Sequence, residues 1–125
     1  MRRIAPFALA IFAVVTVSGT ALAHPRLVSS SPAANASATK PTQITLTFSE
    51  TLVAPLTGIE LTMTEMPGMA SHGPMPIRGI TPKVDGKTVT AKLVRPLSAG
   101  TYELKWRAVA ADQHRIEGSY SFTVR

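Results

Sequence analysis

Residues 101–109 read TYELKWRAV, with an apolar side chain at every second position: Tyr102, Leu104, Trp106 and Ala108. Period two is the repeat of a strand with one face in the core and the other in water; a helix repeats near 3.6. SYSFTV at residues 119–124 keeps the same rhythm with Tyr120, Phe122 and Val124. Upstream, ITLTFSE alternates Ile44, Leu46 and Phe48 with polar residues, GIELTMT places Ile59, Leu61 and Met63 on one side, and KTVTAKLV does so with Val89, Ala91 and Leu93 after a turn at residues 84–87. The small, polar run SSSPAANASAT at residues 29–39 predicts a loop or a loosely paired edge. Five or more short alternating strands punctuated by Pro and Gly, with no helical period, predict a small antiparallel β-sandwich. Trp106 and Phe122 then belong to its core.

The first residues have a different character. Arg2 and Arg3 precede an apolar run from Ile4 to Val17, and Ala21-Leu22-Ala23 forms an A-x-A site ahead of His24. Charge, apolar segment and small residues in that order describe a secretory signal peptide over residues 1–23, leaving a single domain at residues 24–125. The run is too short for a membrane anchor, so the mature form is expected to be exported and not embedded in a bilayer. Loss of two arginines lowers the formal charge from +6 to about +4. The remaining Lys and Arg are scattered, without the aromatic-interleaved basic patch of a nucleic-acid binder. The chain has no cysteine. That excludes disulfides, dithiol redox chemistry and Cys-based zinc sites, and leaves methionine as the soft metal ligand.

Cleavage after Ala23 would make His24 the N-terminus, where its α-amine and imidazole close one chelate ring on a metal ion. The following Pro25 has no N–H to lose, so further ligands must come from elsewhere in the fold. Asp112 and His114, in AADQHR, are two apart and point the same way in an extended segment. Together with His24 they offer three nitrogens and one oxygen, a set suited to Cu(II), with Zn(II) left open by ligand type alone. Four of the five methionines fall in MTEMPGMASHGPMP at residues 63–76, with one of three histidines. Met63, Met66, Met69 and Met75 supply neutral thioethers, which with His72 favour Cu(I). Pro67, Gly68, Gly73, Pro74 and Pro76 argue against a helix there and for a flexible loop. Adaptable hydrophobic packing is the plainer use of methionine, and Met63 also completes a strand face.

Taken together, the start HPRLVSSSPA after ALA, the ITLTFSE strand, the methionine segment and the ending GTYELKWRAVAADQHRIEGSYSFTV resemble the CopC/PcoC periplasmic copper-binding proteins. The resemblance covers essentially the whole mature chain. It implies a cupredoxin-like, immunoglobulin-like Greek-key sandwich or barrel of seven or so strands, with two copper sites at opposite ends. By position, His24, Asp112 and His114 match the Cu(II) ligands, and Glu50 matches an acid placed near that site in some members. Met63, Met66, Met69, His72 and Met75 fall in the Cu(I) loop. Members usually read Asp-Gly-His where this chain has Gln113; a positive φ at that position would be costly for Gln. The implied function is a copper carrier for sequestration and resistance, not an enzyme, handing copper to an inner-membrane importer or another periplasmic copper protein. Two alternatives compete with it. One is a histidine-brace copper monooxygenase, which usually presents flat aromatic surfaces; the other is an exported adhesion-type domain whose histidines are incidental.

Overall fold

The computed structural model describes residues 25–68 and 73–125. The leader, His24, Met69 and His72 lie outside the described residues. The alternating segments become strands in two packed sheets. One sheet orders β1 (Leu27–Ser31), β3 (Gln43–Phe48), β7 (Thr88–Lys92) and β6 (Thr81–Asp85) as β1-β3-β7-β6. The other orders β2 (Ser37–Ala38), β9 (Arg115–Val124), β8 (Gly100–Val109), β4 (Gly58–Glu65) and β5 (Met75–Pro76) as β2-β9-β8-β4-β5. All pairs are antiparallel except the short β2–β9 pair, which is parallel. A 3₁₀ turn at Ala54–Leu56 leads into β4.

The inward faces are the expected ones. Ile44, Leu46 and Phe48 of β3 and Val89 and Ala91 of β7 meet Leu61, Tyr102, Leu104, Ala108 and Phe122 from the other sheet. Tyr102 and Phe122 are cross-strand partners whose rings stack 5.6 Å apart. Phe48 meets Trp106 edge-on at 5.0 Å, joining one sheet to the other. Such pairs add about 0.5–1.5 kcal/mol beyond the area they bury. Trp106 keeps some exposure and lies over Gly118, its cross-strand partner; a Cβ on Gly118 would stand 2.3 Å from the indole Cζ2. Glycine there is a matter of room.

The run at residues 29–39 supplies both a sheet-edge strand, β1, and the two-residue strand β2 that edges the second sheet. Strand β6 was not foreseen, because TPKVD has no alternation and contains Pro82. An edge strand tolerates a residue that cannot donate to the ladder. The β6–β7 hairpin turns on Gly86 and Lys87, and Gly86 takes φ 59 at the first loop position, as a II′-type hairpin requires. Leu93 falls just past β7, where its N–H bonds the Thr42 carbonyl at 3.0 Å.

Candidate metal centres

At one end of the sandwich the entry of β1 and the β8–β9 loop share a neighbour. Pro25 is fully buried. The Arg26 N–H donates to Ser49 Oγ at 3.0 Å, and the Ser49 N–H returns a bond to the Arg26 carbonyl at 2.9 Å. Two residues on, the Thr51 carbonyl accepts from the Ala111 N–H at 3.1 Å, and Leu52 bridges Ala110. Residues 49–52 therefore tie the entry of β1 to the loop carrying Asp112 and His114.

That loop is held by its own backbone. The Ala110 N–H bonds the His114 carbonyl at 3.0 Å and the Gln113 N–H bonds the Ala110 carbonyl at 2.8 Å, with Gln113 at φ 72. The position does require the left-handed region, and Gln occupies it. Asp112 gains from the turn: Oδ1 accepts the His114 N–H at 3.1 Å and Oδ2 meets His114 Nδ1 at 2.8 Å. The bonds from the His114 side chain and backbone hold the Asp112 carboxyl below its ordinary value. With Nδ1 facing the carboxylate, Nε2 is the ring nitrogen turned from it. This carboxylate–imidazole pairing is the one that commonly orients metal-bound histidines. Glu50 is half-buried and does not join Asp112 and His114 in a set; among the described residues no three His, Asp or Glu side chains gather at metal-binding distance.

The other end of the five-stranded sheet gathers sulfur. Met63 lies directly opposite Met75 across the β4–β5 pair, so both side chains leave the same face. Strict alternation would send Met66, three residues on, to the opposite face. A bulge reverses this. Met63 pairs with Tyr102 and Glu65 with Thr101, so β4 carries one extra residue, and one insertion flips the facing of everything beyond it. Met63, Met66 and Met75 accordingly line a single cleft of about 700 Å³. Gly100 accommodates the bulge, since a Cβ there would stand 2.6 Å from the Glu65 carbonyl oxygen. Met63 is only 3% exposed and forms part of the core, Met66 is half-buried and Met75 is 47% exposed. The flexible loop expected after the Met63 strand thus ends in a short strand, which sets Met75 in register with Met63. The bulge and the register left no mark in the residue pattern. Thr101 and Val109, near the two ends of β8, are roughly 26 Å apart at about 3.3 Å per residue.

Comparison with known proteins places this architecture. A family model described as the CopC domain matches residues 27–125. The chain belongs to the CopC domain family. It is 46% identical over 113 residues to copper resistance protein C of Escherichia coli, covering 90% of each chain. It is 48% identical over 109 residues to copper resistance protein C of Xanthomonas campestris pv. juglandis, covering 86% of this chain and 85% of that one. Among solved structures it resembles PcoC, a methionine-rich copper resistance protein from Escherichia coli, with TM-score 0.73 and 45% identity over 82% of this chain and 100% of that chain. CopC from Methylosinus trichosporium OB3b matches with TM-score 0.66 and 25% identity, over 81% of this chain and 93% of that one. The family and the β-sandwich expected from the sequence are both met.

Proposed function

We propose that this CopC-domain chain is an exported copper carrier with two sites of different redox preference, one at each end of its five-stranded sheet. The observation that carries the reading is the β4 bulge, which turns Met66 onto the face of Met63 and Met75 so that three thioethers border one cleft. Thioethers are neutral and soft, and they select Cu(I). Met66 and Met75, with Met69 and His72 from the intervening segment, hold Cu(I), and Met63 backs them from the core. At the far end the His24 amine and ring, His114 and Asp112 hold Cu(II). The Asp112–His114 pairing supports this by fixing the imidazole before any metal arrives. Glu50 acts there only as a neighbouring charge.

The His24 ligand depends on cleavage after Ala23. In its favour, the order of charge, apolar run and A-x-A site over residues 1–23 is that of a cleavable leader. The names of the relatives, copper resistance protein C, support copper as the cargo. Export rests on the leader and the periplasm on the resemblance to the CopC/PcoC proteins, and the recipient is an inner-membrane copper importer or another periplasmic copper protein. Only metal–ligand bonds are exchanged on uptake and transfer. The monooxygenase alternative is weakened by the aromatic residues: Tyr102 and Phe122 are buried, Trp106 packs on Phe48 and Gly118, and Tyr120 is half-buried.

Mass spectrometry of the exported protein, combined with copper titration under oxidising and reducing conditions, tests the proposal. The expected result is an N-terminus at His24, one Cu(II) and one Cu(I). An extra residue before His24 should abolish tight Cu(II) binding alone, whereas Met66→Ala or His72→Ala should weaken Cu(I) alone. Equal loss of both ions in either variant would refute the two-site division.

A further inference from the structure

The positive charge of this chain is not spread evenly along its long axis. At the methionine end stand Lys40, Arg78, Lys92, Arg95 and Arg125, all exposed, with Glu65 as the one acid. Their position follows from the ladder: Lys92 pairs with Gln43 and Thr81, Arg125 bonds the Ala38 carbonyl, and Arg78 and Arg95 border the methionine cleft. At the opposite end Arg26, Lys87, Arg107 and Arg115 are matched by Glu50, Asp85, Asp112 and Glu117. Near the middle, Lys83 and Lys105 offset Glu60 and Glu103. The whole excess of about four positive charges in residues 24–125 is therefore located at the methionine end, with Arg78 and Arg95 on the cleft itself.

The cleft itself is preformed. One wall descends from Met75 to Ile77; the other is the segment from Leu93 to Ser98. That segment is fastened by the Leu93 and Leu97 N–H groups to the Thr42 and Pro41 carbonyls, at 3.0 and 3.1 Å, and by the Tyr102 hydroxyl to the Ser98 carbonyl at 2.7 Å. Val94 leans over Gly79, where a Cβ would stand 2.5 Å from Val94 Cγ2, and yet is 73% exposed. Val94 and Met75 thus present apolar surface at the rim, flanked by two guanidinium groups that take part in none of the ion pairs found among the described residues.

We infer that this cleft is a docking site for an acidic polypeptide segment of a partner protein, one that inserts an apolar side chain between carboxylates directed at Arg78 and Arg95. Apolar anchorage inside a charged rim is the ordinary anatomy of a transient interface, and complementary charge chooses the partner and speeds encounter. The inference concerns the metal-free surface and does not depend on copper being the cargo.

The test titrates the exported protein, stripped of metal, with a capped decapeptide carrying a central Met-Leu-Met between glutamates. A second peptide with Lys in place of each Glu, and vesicles of phosphatidylglycerol, serve as comparisons, and methionine methyl resonances are followed by NMR. The Glu peptide is expected to shift the Met66 and Met75 methyls. Its affinity should fall at least tenfold from 50 to 500 mM salt, and at least tenfold in Arg78→Glu/Arg95→Glu, while the Lys peptide binds at least tenfold more weakly. Cu(I) binding of that double variant is not weakened, since added negative charge beside the cleft favours a cation, so failure here is distinguishable from failure of the carrier proposal. Equal binding of the two peptides, resonance shifts confined to the Asp112–His114 end, no binding of the Glu peptide at millimolar concentration, or binding to vesicles alone would each overturn the inference. The last outcome would assign the surface to anionic lipid instead.

Discussion

Gln113 shows how one residue can carry a local cost for a nearby gain. Its left-handed backbone, at φ 72, lets Asp112 fold back onto both the N–H and the ring of His114. An L-residue with a Cβ pays for that conformation with about 1–2 kcal/mol, while a glycine would lose somewhat more freedom on folding. Gln113→Gly is therefore expected to raise stability by up to about 1 kcal/mol, read as a higher urea midpoint, and to leave the Asp112–His114 pair in place. A fall in the midpoint would show that the Gln side chain contributes contacts that outweigh its backbone. The alternation AADQHR gave Asp112 and His114 the same direction, which was legible; the turn that actually brings them together rests on a dihedral that residue spacing does not encode.

Among the elements, the longest strands were the easiest to read, because ten-residue β8 and β9 repeat their apolar pattern over several turns of the pleat. Short edge strands leave little trace: β5 has two residues and β6 exposes nearly all of its side chains, while the two residues of β2 lie in the run expected as a loop or loosely paired edge. A pattern too brief or too wet has no period to detect. The bulge in β4 is the consequential case. Deleting Thr64 removes the extra residue and leaves Met66 two positions from Met63, on the same face by plain alternation, so Cu(I) binding should persist; its loss would mean that the bulge itself, and not only the facing of Met66, is needed. In β9, Gly118→Ala forces Trp106 off its seat. A loss of about 1–3 kcal/mol in chemical denaturation is expected, with a shifted Trp106 emission, and a neutral result would show that the indole can move without cost.

For the molecule as a whole, one contact between the chain's start and its end reports on integrity. The Tyr120 hydroxyl on β9 donates to the Pro32 carbonyl beyond β1 at 2.9 Å, linking the two sheets. Burial raises the Tyr120 pKa above the ordinary 10.0, opposed by a weaker bond from Ser30. The folded state thus keeps the phenolic proton longer than the unfolded one does. The resulting stability is intact below about pH 10 and is lost as pH climbs through the folded value. Urea midpoints at pH 9 and 11 should diverge more for the native chain than for Tyr120→Phe; equal slopes would show that the hydroxyl is not sequestered. The buried Pro25 carries a further consequence, for timing. A peptidase needs extended chain on both sides of the bond it cuts, and the second residue past Ala23 is sealed inside the finished sandwich. On the proposed cleavage after Ala23, leader removal has to precede the final closing of the domain, and precursor allowed to fold first should resist the enzyme that trims it.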